Sequence, residues 1–176
     1  ADDVIATLAD NYQNKYEVVI VSGDKDFTQL VNEQISLFDP KSNKATDVQK
    51  VKEKYGILPT QFIDYLAICG DSADNIPGVK GIGPKGATKL LGQFGNLDEI
   101  YENIEKIVPE QLKEKLIEHK KNAYLSQKLV TIIRDVPLQV CDFKFEKNSL
   151  KNGIEFLRNF NLRSIITKIE KITAQT

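Results

Sequence analysis

The chain has 176 residues, of which 41% are hydrophobic and 28% are charged, and its formal net charge is −1. This composition can build a buried core and excludes an intrinsically disordered chain, while the near-neutral charge excludes nucleic-acid binding through overall positive charge. No apolar run is long enough for a membrane helix and no signal-type start is present, so we expect a cytosolic protein.

The first 46 residues alternate between helix and strand patterns. Apolar residues at helical spacing predict a helix over residues 2–12, whose first turn is acidic as the helix dipole favours. The β-branched run at 17–22 predicts a parallel strand that is buried on both faces. Further elements, a helix, a strand and a turn, are predicted at 26–31, 34–38 and 40–44. This pattern predicts an α/β core with a parallel sheet.

The rest of the chain is predicted to be mainly helical. Prolines and glycines mark helix starts and stops, and they predict helices at 47–55, 60–69, 84–94, 97–104, 109–119 and 122–133. A short edge strand is predicted at 137–140, before terminal helices at 149–157 and 162–169. The expected organisation is the C-terminal part of an α/β core, a helical layer and a C-terminal extension of the same domain, over 1–45, 46–135 and 136–176.

Six aspartates occur in three close groups, and they indicate a site for a hard metal cation. The groups are Asp2 with Asp3, Asp24 with Asp26, and Asp71 with Asp74. Carboxylates at such short spacings can converge on Mg²⁺ or Mn²⁺, which prefer oxygen ligands. Each group also has an ordinary explanation, because acidic residues stabilise helix N-termini, cap helices and begin turns. Three groups in one small chain favour the metal site.

A glycine-rich segment follows the last aspartate pair and predicts a phosphate-binding turn. Gly78, Gly81 and Gly83 allow backbone angles that are closed to other residues, and Pro84 stands where a helix begins. Such a turn directs backbone N–H groups at an anion. Positive charge around it comes from Lys80, Lys85 and Lys89. The alternative is a glycine pair that lets two helices pack closely, whereas the spacing of a mononucleotide P-loop is not present.

Three segments, in order, resemble the 5′ nuclease domain of bacterial DNA polymerase I, in the flap-endonuclease superfamily. They are Ala-Asp-Asp-Val-Ile at 1–5, Ser-Gly-Asp-Lys-Asp-Phe-Thr-Gln-Leu at 22–30 and Gly-Asp-Ser-Ala-Asp-Asn-Ile-Pro-Gly-Val-Lys-Gly-Ile-Gly-Pro-Lys at 70–85. The resemblance covers most of residues 1–140. It implies part of a PIN-like α/β nuclease core with a parallel sheet, followed by a helical layer that contains a helix-three-turn-helix DNA-binding element.

The same resemblance implies a structure-specific 5′-3′ exonuclease or flap endonuclease of replication and repair, which hydrolyses DNA with two divalent ions, Mg²⁺ or Mn²⁺. It implies metal binding by all six aspartates and a catalytic role for Asp24, Asp26, Asp71 and Asp74. It assigns DNA binding to Lys25, Gly78, Lys80, Gly81, Ile82, Gly83, Lys85, Gly86 and Lys89. It further implies K⁺ at the helix-three-turn-helix, branched or nicked duplex DNA with a 5′ flap as the partner, and a C-terminal polymerase domain in the parent protein.

The resemblance is incomplete at the amino end. The glutamate of the family's Glu-Ala-Asp-Asp element would precede Ala1, and the family's first strand and basic arch have no counterpart in this sequence. We therefore expect this chain to be an incomplete piece of the nuclease domain that does not cleave DNA by itself.

Two other classes of function fit parts of the pattern. A phosphatase of the haloacid-dehalogenase type is suggested by the strand followed by Asp-Lys-Asp-Phe-Thr, in which Asp24 would be the nucleophile and Asp26 the acid/base. That class leaves the glycine-rich segment unexplained. A non-catalytic DNA-binding module would use the glycine turn for phosphate binding that is independent of base sequence and sensitive to salt.

Overall fold

The computed structural model describes residues 1–139 and 149–174, which form two compact units, Ala1–Leu138 and Gln139–Thr176. The first unit contains an α/β part and a helical part, each with its own hydrophobic core. Among the described residues, no helix combines the length and the apolar character needed to cross a lipid bilayer.

The α/β part is built around a three-stranded sheet with the order β1-β2-β3. Its elements are α1 (Asp2–Tyr12), β1 (Val18–Val21), a 3-10 helix (Lys25–Leu30), β2 (Ile35–Asp39) and β3 (Lys44–Thr46). β1 and β2 are parallel with Val18 opposite Ile35, as the βα alternation predicts. The predicted helix at 26–31 is present as a 3-10 helix that begins one residue earlier.

Two predictions for the sheet are wrong. The turn was predicted to include residue 44, but residues 44–46 form β3 and pair with β2 in antiparallel register, so the sheet is mixed and not purely parallel. The antiparallel pair is formed because the turn brings the chain straight back along β2. β1 is at the edge of the sheet, and its expected burial on both faces fails because Val19 and Val21 are 51% and 64% exposed.

The helical part begins with α2 (Val48–Tyr55), which Asp47 caps by accepting a hydrogen bond from the Lys50 N–H at 2.8 Å. Gly56 ends α2 in the left-handed conformation, as the glycine predicts. A 3-10 turn (Pro59–Gln61) leads into α3 (Phe62–Cys69). The remaining helices are α4 (Pro84–Phe94), α5 (Leu97–Glu102), α6 (Glu110–Glu118) and α7 (Lys120–Val130), with a 3-10 turn at Ile104–Lys106 after α5.

Two of these helices end two or three residues before their predicted ends. The helix expected at 97–104 ends at Glu102, and the chain continues as the separate 3-10 turn. The helix expected at 122–133 ends at Val130, because the next backbone groups bond to the Gln29 side chain instead of to each other. Tertiary hydrogen bonds thus override a local helical pattern.

Two hydrophobic cores hold the first unit together. One lies between α1, the sheet and the 3-10 helix and includes Phe27, Leu30 and Ile35, each at most 2% exposed. The other lies among α3, α4, α5 and α7 and includes Phe62 and Leu97, both fully buried. The Tyr55 ring packs against both cores, so the end of α2 joins them.

The second unit contains α8 (Ser149–Asn152), α9 (Ile154–Asn159) and α10 (Arg163–Ala174). The single helix expected at 149–157 is divided at Gly153, a residue with low helix propensity. The strand expected at 137–140 is not formed by residues 137–139, which have no regular structure, and residue 140 lies outside the described part of the chain.

Candidate metal centre and nucleic-acid interface

Three carboxylates from two separate elements converge at one point. Asp26 lies in the 3-10 helix after β1, and Asp71 and Asp74 lie in the loop after α3. One ligand oxygen from each of these three residues lies within 4.8 Å of the others. A convergence of oxygen ligands with this spacing can hold a hard cation.

The Asp71–Ile76 loop brings two of these carboxylates together without a helical turn. The Asp71 N–H donates to the Ile76 carbonyl at 3.0 Å, and the Ile76 N–H donates back to the Asp71 carbonyl at 2.7 Å. Asn75 has a positive φ of 57°, which closes the loop. The Asp71 side chain also accepts a hydrogen bond from the Ala73 N–H at 3.0 Å. Asp71 and Asp74 therefore lie in a turn, one of the ordinary settings for closely spaced aspartates.

Lys25 places its ammonium group between two of the converging carboxylates. Its Nζ forms an ion pair with Asp71 and lies 3.7 Å from an oxygen of Asp74. The hydrogen bond that the Lys25 ammonium donates to the Asp71 carboxylate raises the pKa of Lys25. Partial burial by itself would raise the pKa of Asp71, but the Lys25 ammonium and the Ala73 N–H outweigh it and lower this pKa. The ammonium therefore neutralises negative charge on two of the three converging carboxylates.

Asp26 has a buried carboxylate oxygen that could bind a cation. Its Oδ1 is buried and has no hydrogen-bond partner among the described residues. Burial, and then the negative charge of Asp24, raise the pKa of Asp26 to about 6. A buried carboxylate oxygen without a donor is rare in folded proteins, and a bound cation or a proton satisfies it.

The other three aspartates lie outside this three-carboxylate group. Asp24 is exposed, and its Oδ1 caps the 3-10 helix by accepting a hydrogen bond from the Asp26 N–H at 2.9 Å. Asp3 accepts a hydrogen bond from the Ile133 N–H at 2.8 Å, which ties the start of α1 to the segment after α7. Asp2 lies exposed in the first turn of α1. Direct metal binding by these three residues stays a prediction.

Gln29 holds Asp26 in place, and the sequence analysis did not identify it. Its side-chain amide donates to the carbonyls of Asp26 at 3.0 Å and Val130 at 2.9 Å. Its side-chain oxygen accepts a hydrogen bond from the Ile132 N–H at 3.0 Å. Gln29 is 5% exposed, so it clamps the 3-10 helix to the end of α7 inside the protein. A glutamine next to Leu30 in the buried stretch Phe-Thr-Gln-Leu is the signal that could have pointed to it.

We expect Gln29→Leu to lower the free energy of unfolding by about 2–4 kcal/mol. The leucine fills most of the space but leaves buried backbone groups of residues 130 and 132 without partners, each at a cost of about 1–3 kcal/mol. Urea denaturation followed by circular dichroism measures the change. Gln49→Leu, at an exposed position on α2, is the control and should change stability by less than about 0.5 kcal/mol. Equal effects of the two substitutions would contradict the clamp.

The glycine-rich turn leads from the carboxylate loop into α4. Gly78 and Gly81 have positive φ angles of 58° and 81°, and Gly83 is the N-cap of α4 with Pro84 as its first residue. The Gly78 N–H donates to the buried Ser126 hydroxyl at 2.9 Å, which anchors the turn to α7. Ile82 is 4% exposed and lies in the helical core. The turn is therefore fixed on its inner side.

The outer side of this turn presents free hydrogen-bond donors. Within residues 1–139 and 149–174, no acceptor is found for the N–H groups of Gly81, Gly83, Lys85 and Gly86. Exposed ammonium groups surround them on Lys80, Lys85 and Lys89, none of which has an acidic partner within 4.0 Å in the described chain. Free N–H groups at a helix start, together with positive charge, suit a phosphate group.

Lys115 adds a cation to this turn from α6. Its Nζ lies 3.3 Å from the Gly81 carbonyl, to which it donates a hydrogen bond. No local sequence signal marks this lysine, because Lys115 lies 34 residues after Gly81 in the chain. The turn thus receives positive charge from a second helix.

The chain matches two models of one protein family, in order along its length. Residues 1–56 match the model "5′-3′ exonuclease, N-terminal resolvase-like domain", and residues 57–152 match "5′-3′ exonuclease, C-terminal SAM fold". The second model alone covers more than half of the chain.

Similar curated proteins are named DNA polymerase I or 5′-3′ exonuclease. DNA polymerase I of Bacillus subtilis is 44% identical over 172 residues, which is 94% of this chain and 18% of that protein. The 5′-3′ exonuclease of Buchnera aphidicola subsp. Acyrthosiphon pisum is 41% identical over 169 residues, 91% of this chain and 59% of that protein. The chain spans about a fifth of the DNA polymerase I relatives, for example 21% of the Bacillus caldotenax protein.

Solved structures share the fold. The T5 5′-exonuclease with bound zinc matches with a TM-score of 0.67 at 26% identity, over 75% of this chain and 49% of that one. The bacteriophage T5 D15 flap endonuclease in a pseudo-enzyme-product complex with DNA and metal ions has a TM-score of 0.68 at 22% identity, over 99% of this chain and 60% of that one. The family models, the relatives and the fold agree, and the chain belongs to the 5′-3′ exonuclease family.

Proposed function

We propose that this chain supplies metal-binding carboxylates and a DNA-binding turn to a structure-specific 5′ nuclease, a 5′-3′ exonuclease or flap endonuclease that hydrolyses DNA phosphodiesters. The observation that carries the proposal is the convergence of Asp26, Asp71 and Asp74 within 4.8 Å, with the buried Asp26 Oδ1 lacking a donor. The loop that holds two of these carboxylates runs directly into the glycine-rich turn. The same segment would therefore hold the metal and the DNA.

The residues present fit a hard divalent cation, which we propose to be Mg²⁺ or Mn²⁺. All three converging ligands are carboxylate oxygens, the donor type that these ions prefer, and thiolate or imidazole ligands are absent from the group. When bound, such ions lower the pKa of a water molecule and neutralise charge on the phosphate and the leaving oxygen. We propose Asp26, Asp71 and Asp74 as direct ligands, with Asp24, Asp2 and Asp3 acting nearby in the complete site.

The chain's own groups would prepare this site in two ways. The Lys25 ammonium pairs with Asp71 and Asp74, and it would move away from them when a cation binds. Lys25 is then free to contact a phosphate at the same place, the role that the resemblance assigns to it. The Gln29 clamp keeps the Asp26 carboxylate at the site during this exchange.

The glycine-rich turn and the start of α4 would hold the phosphates of the duplex. The free N–H groups at 81, 83, 85 and 86 and the lysines around them contact the backbone without reading base sequence. The family resemblance also implies K⁺ at carbonyls of this turn. In this chain the Gly81 carbonyl already has the Lys115 ammonium at 3.3 Å, so a K⁺ ion would have to share that carbonyl.

The proposed substrate is branched or nicked duplex DNA with a 5′ flap, and a C-terminal polymerase domain is the proposed neighbour in the parent protein. The experiment is a cleavage assay with Mg²⁺ or Mn²⁺, in which the native-length protein that contains this chain meets a 5′-flap duplex and a blunt duplex. We expect cleavage of the flap substrate and much slower cleavage of the blunt one. Loss of that preference, or no cleavage at all, would contradict the proposal.

A non-catalytic DNA-binding module is the second candidate. The observation in its favour is that the Lys25 ammonium forms ion-pair contacts with two of the three carboxylates. In that case the same assay would show salt-sensitive binding of the flap substrate without cleavage. The phosphatase interpretation is not supported, because both family models that match the chain describe exonuclease domains.

Lys85→Ala tests the phosphate contacts of the turn. We expect weaker binding to every duplex sequence and a salt slope of log K that is smaller by about 0.9, as for the loss of one phosphate contact. Fluorescence anisotropy of a labelled duplex over a range of salt concentrations measures both. Lys128→Ala on α7, an exposed lysine beside a different cleft, is the control and should change neither. An unchanged slope for Lys85→Ala would remove this lysine from the interface.

A further inference from the structure

Two open clefts on the surface of the first unit meet at the end of α2. The larger cleft has a volume of about 530 Å³ and has Lys25 in its wall. The Lys25 ammonium forms an ion pair with Asp71, although the three converging carboxylates do not line the cleft themselves. The smaller cleft, of about 370 Å³, reaches α4 and has Lys85 and Lys89 in its wall. Lys54 and Tyr55 belong to both walls. The two clefts therefore lie along one path between the carboxylates and the glycine-rich turn.

The junction between the clefts is rigidly held. The Thr88 hydroxyl of α4 donates a hydrogen bond to the Tyr55 carbonyl at 2.9 Å, which fastens α4 to the end of α2. Gly56 allows this close approach, because a Cβ at that position would lie 2.8 Å from Cγ2 of Thr88. The Tyr55 ring packs edge-on against Phe62, with ring centroids 5.1 Å apart. Whatever binds at the junction meets a preformed surface.

The wall of the larger cleft contains charges of both signs, with four lysines (Lys25, Lys44, Lys50 and Lys54) and three acidic residues (Asp24, Asp39 and Glu53). Two of the acidic residues bond to neutral donors, which leave their negative charge in place. Asp39 accepts hydrogen bonds from the Ser42 hydroxyl at 2.6 Å and from the Lys41 N–H at 2.8 Å. Glu53 accepts one from the Gln49 side chain at 3.0 Å. In the residues that the structure describes, Lys44 and Lys54 have no acidic partner within 4.0 Å. These ammonium charges are left to attract an anion.

The smaller cleft has no compensating charge at all in the described part of the chain. Its wall contains Lys54, Lys85 and Lys89 but no aspartate or glutamate. The Lys54 Nζ lies 4.7 Å from the centroid of the Tyr55 ring, so the ring holds the ammonium at the point where the clefts join. Positive charge thus continues without interruption from α4 to the end of α2.

We propose that Lys54 is a phosphate-binding residue and that the end of α2 carries the DNA backbone between the glycine-rich turn and the metal centre. This inference rests on the proposed function and extends its DNA-binding surface to an element that neither the sequence motifs nor the glycine turn includes. The ligand is a strand of nucleic acid recognised through its phosphates, with Tyr55 beneath the ammonium as a fixed support. Lys54 positions the strand and does not take part in the chemistry.

A helix-stabilising role would explain Lys54 differently, and the chain offers a matched control for it. Lys52 and Lys54 both lie in the last turn of α2, where positive charge favours the helix dipole. Lys52 lines neither cleft. Removing either lysine changes the charge and the helix by the same amount, so a difference between the two variants reports the path of the DNA.

The experiment measures binding of a labelled 5′-flap duplex to the native-length protein by fluorescence anisotropy, with Ca²⁺ in place of Mg²⁺ and salt varied from about 50 to about 200 mM. For Lys54→Ala we expect a salt slope smaller by about 0.9, so that affinity falls about 3.5-fold less over this range than in the unmodified protein. Lys52→Ala should keep the original slope. Thermal unfolding by circular dichroism confirms that both variants are folded.

Lys85→Ala in the same assay distinguishes a failure of the DNA path over α2 from a failure of the DNA-binding turn. If Lys85→Ala lowers the slope and Lys54→Ala does not, the path over α2 is wrong while the DNA-binding turn stands. If Lys52→Ala and Lys54→Ala weaken binding equally, a diffuse charge effect of α2 replaces the specific contact and overturns the inference. If none of the three variants changes binding, the DNA-binding surface of the proposed function fails as well.

Discussion

Replacing both Asp71 and Asp74 by asparagine is expected to reduce cleavage of a 5′-flap duplex by at least about 10³-fold in the native-length protein. Metal ions stabilise the transition state by several kcal/mol, and each 1.4 kcal/mol is about tenfold in rate. Two of the three converging oxygen ligands lose their charge in this variant. Single-turnover cleavage with saturating enzyme measures the effect without a contribution from binding.

The same variant should retain its affinity for the flap duplex. The free N–H groups and lysines of the glycine-rich turn are untouched, and two negative charges near the phosphates are removed. Isothermal titration with Mn²⁺ should show that the loss lies in metal binding. Asp135→Asn with Glu114→Gln, two exposed acidic residues outside the three-carboxylate group, is the control of equal charge and should cleave normally. Normal cleavage by Asp71→Asn/Asp74→Asn would remove both residues from the active site.

Gly78→Ala is expected to lower the free energy of unfolding by about 3–5 kcal/mol, in the range of the most damaging single substitutions. Gly78 has a φ of 58°, which alanine adopts only with strain. A Cβ at this position would also lie 2.7 Å from Cα of Gly70 and 2.8 Å from the Ile68 carbonyl oxygen. These neighbours are backbone atoms that cannot move aside as a flexible side chain would.

Gly92→Ala is the matched control and should have the opposite sign. Gly92 lies inside α4, and a Cβ there meets nothing within 4 Å. Alanine should therefore raise the free energy of unfolding by about 0.5–1 kcal/mol. Urea denaturation measures both variants. Because Gly78 joins the carboxylate loop to the glycine turn, Gly78→Ala should also weaken metal and DNA binding at temperatures where it is still folded. If Gly78→Ala left the free energy of unfolding unchanged, the close packing of Gly78 against the backbone of Ile68 and Gly70 would be wrong.

Much of the fold could be predicted because its signals are local. The bounds of α1 and α4 are the predicted ones, since apolar spacing and a proline at the first position of α4 fix them within one stretch of chain. Asp47 and Gly56 begin and end α2 as their residue types predict. The errors occur where a partner from another element decides. β3 forms by pairing with β2, and α7 stops at Val130 because Gln29 takes its next backbone groups.

The candidate site was predictable in its residue types but not in its arrangement. The sequence indicated six aspartates as metal ligands, four of them catalytic, and the fold brings Asp26, Asp71 and Asp74 together. It also left the direction of Lys25 open, and the ammonium lies between carboxylates of a distant loop. Gln29, Lys54 and Lys115 carried no motif, because their roles depend on contacts across the fold.

The sequence by itself determined the family, the two-part organisation of the core and the glycine-rich turn, because periodicity, capping residues and glycine conformations act over a few neighbouring residues. The tertiary structure decided which carboxylates can share a cation, which oxygen is left buried without a donor and where the two clefts meet at Lys54. These properties depend on contacts such as that between Gln29 and Val130, 101 residues apart, and such distances become short only when both cores have formed.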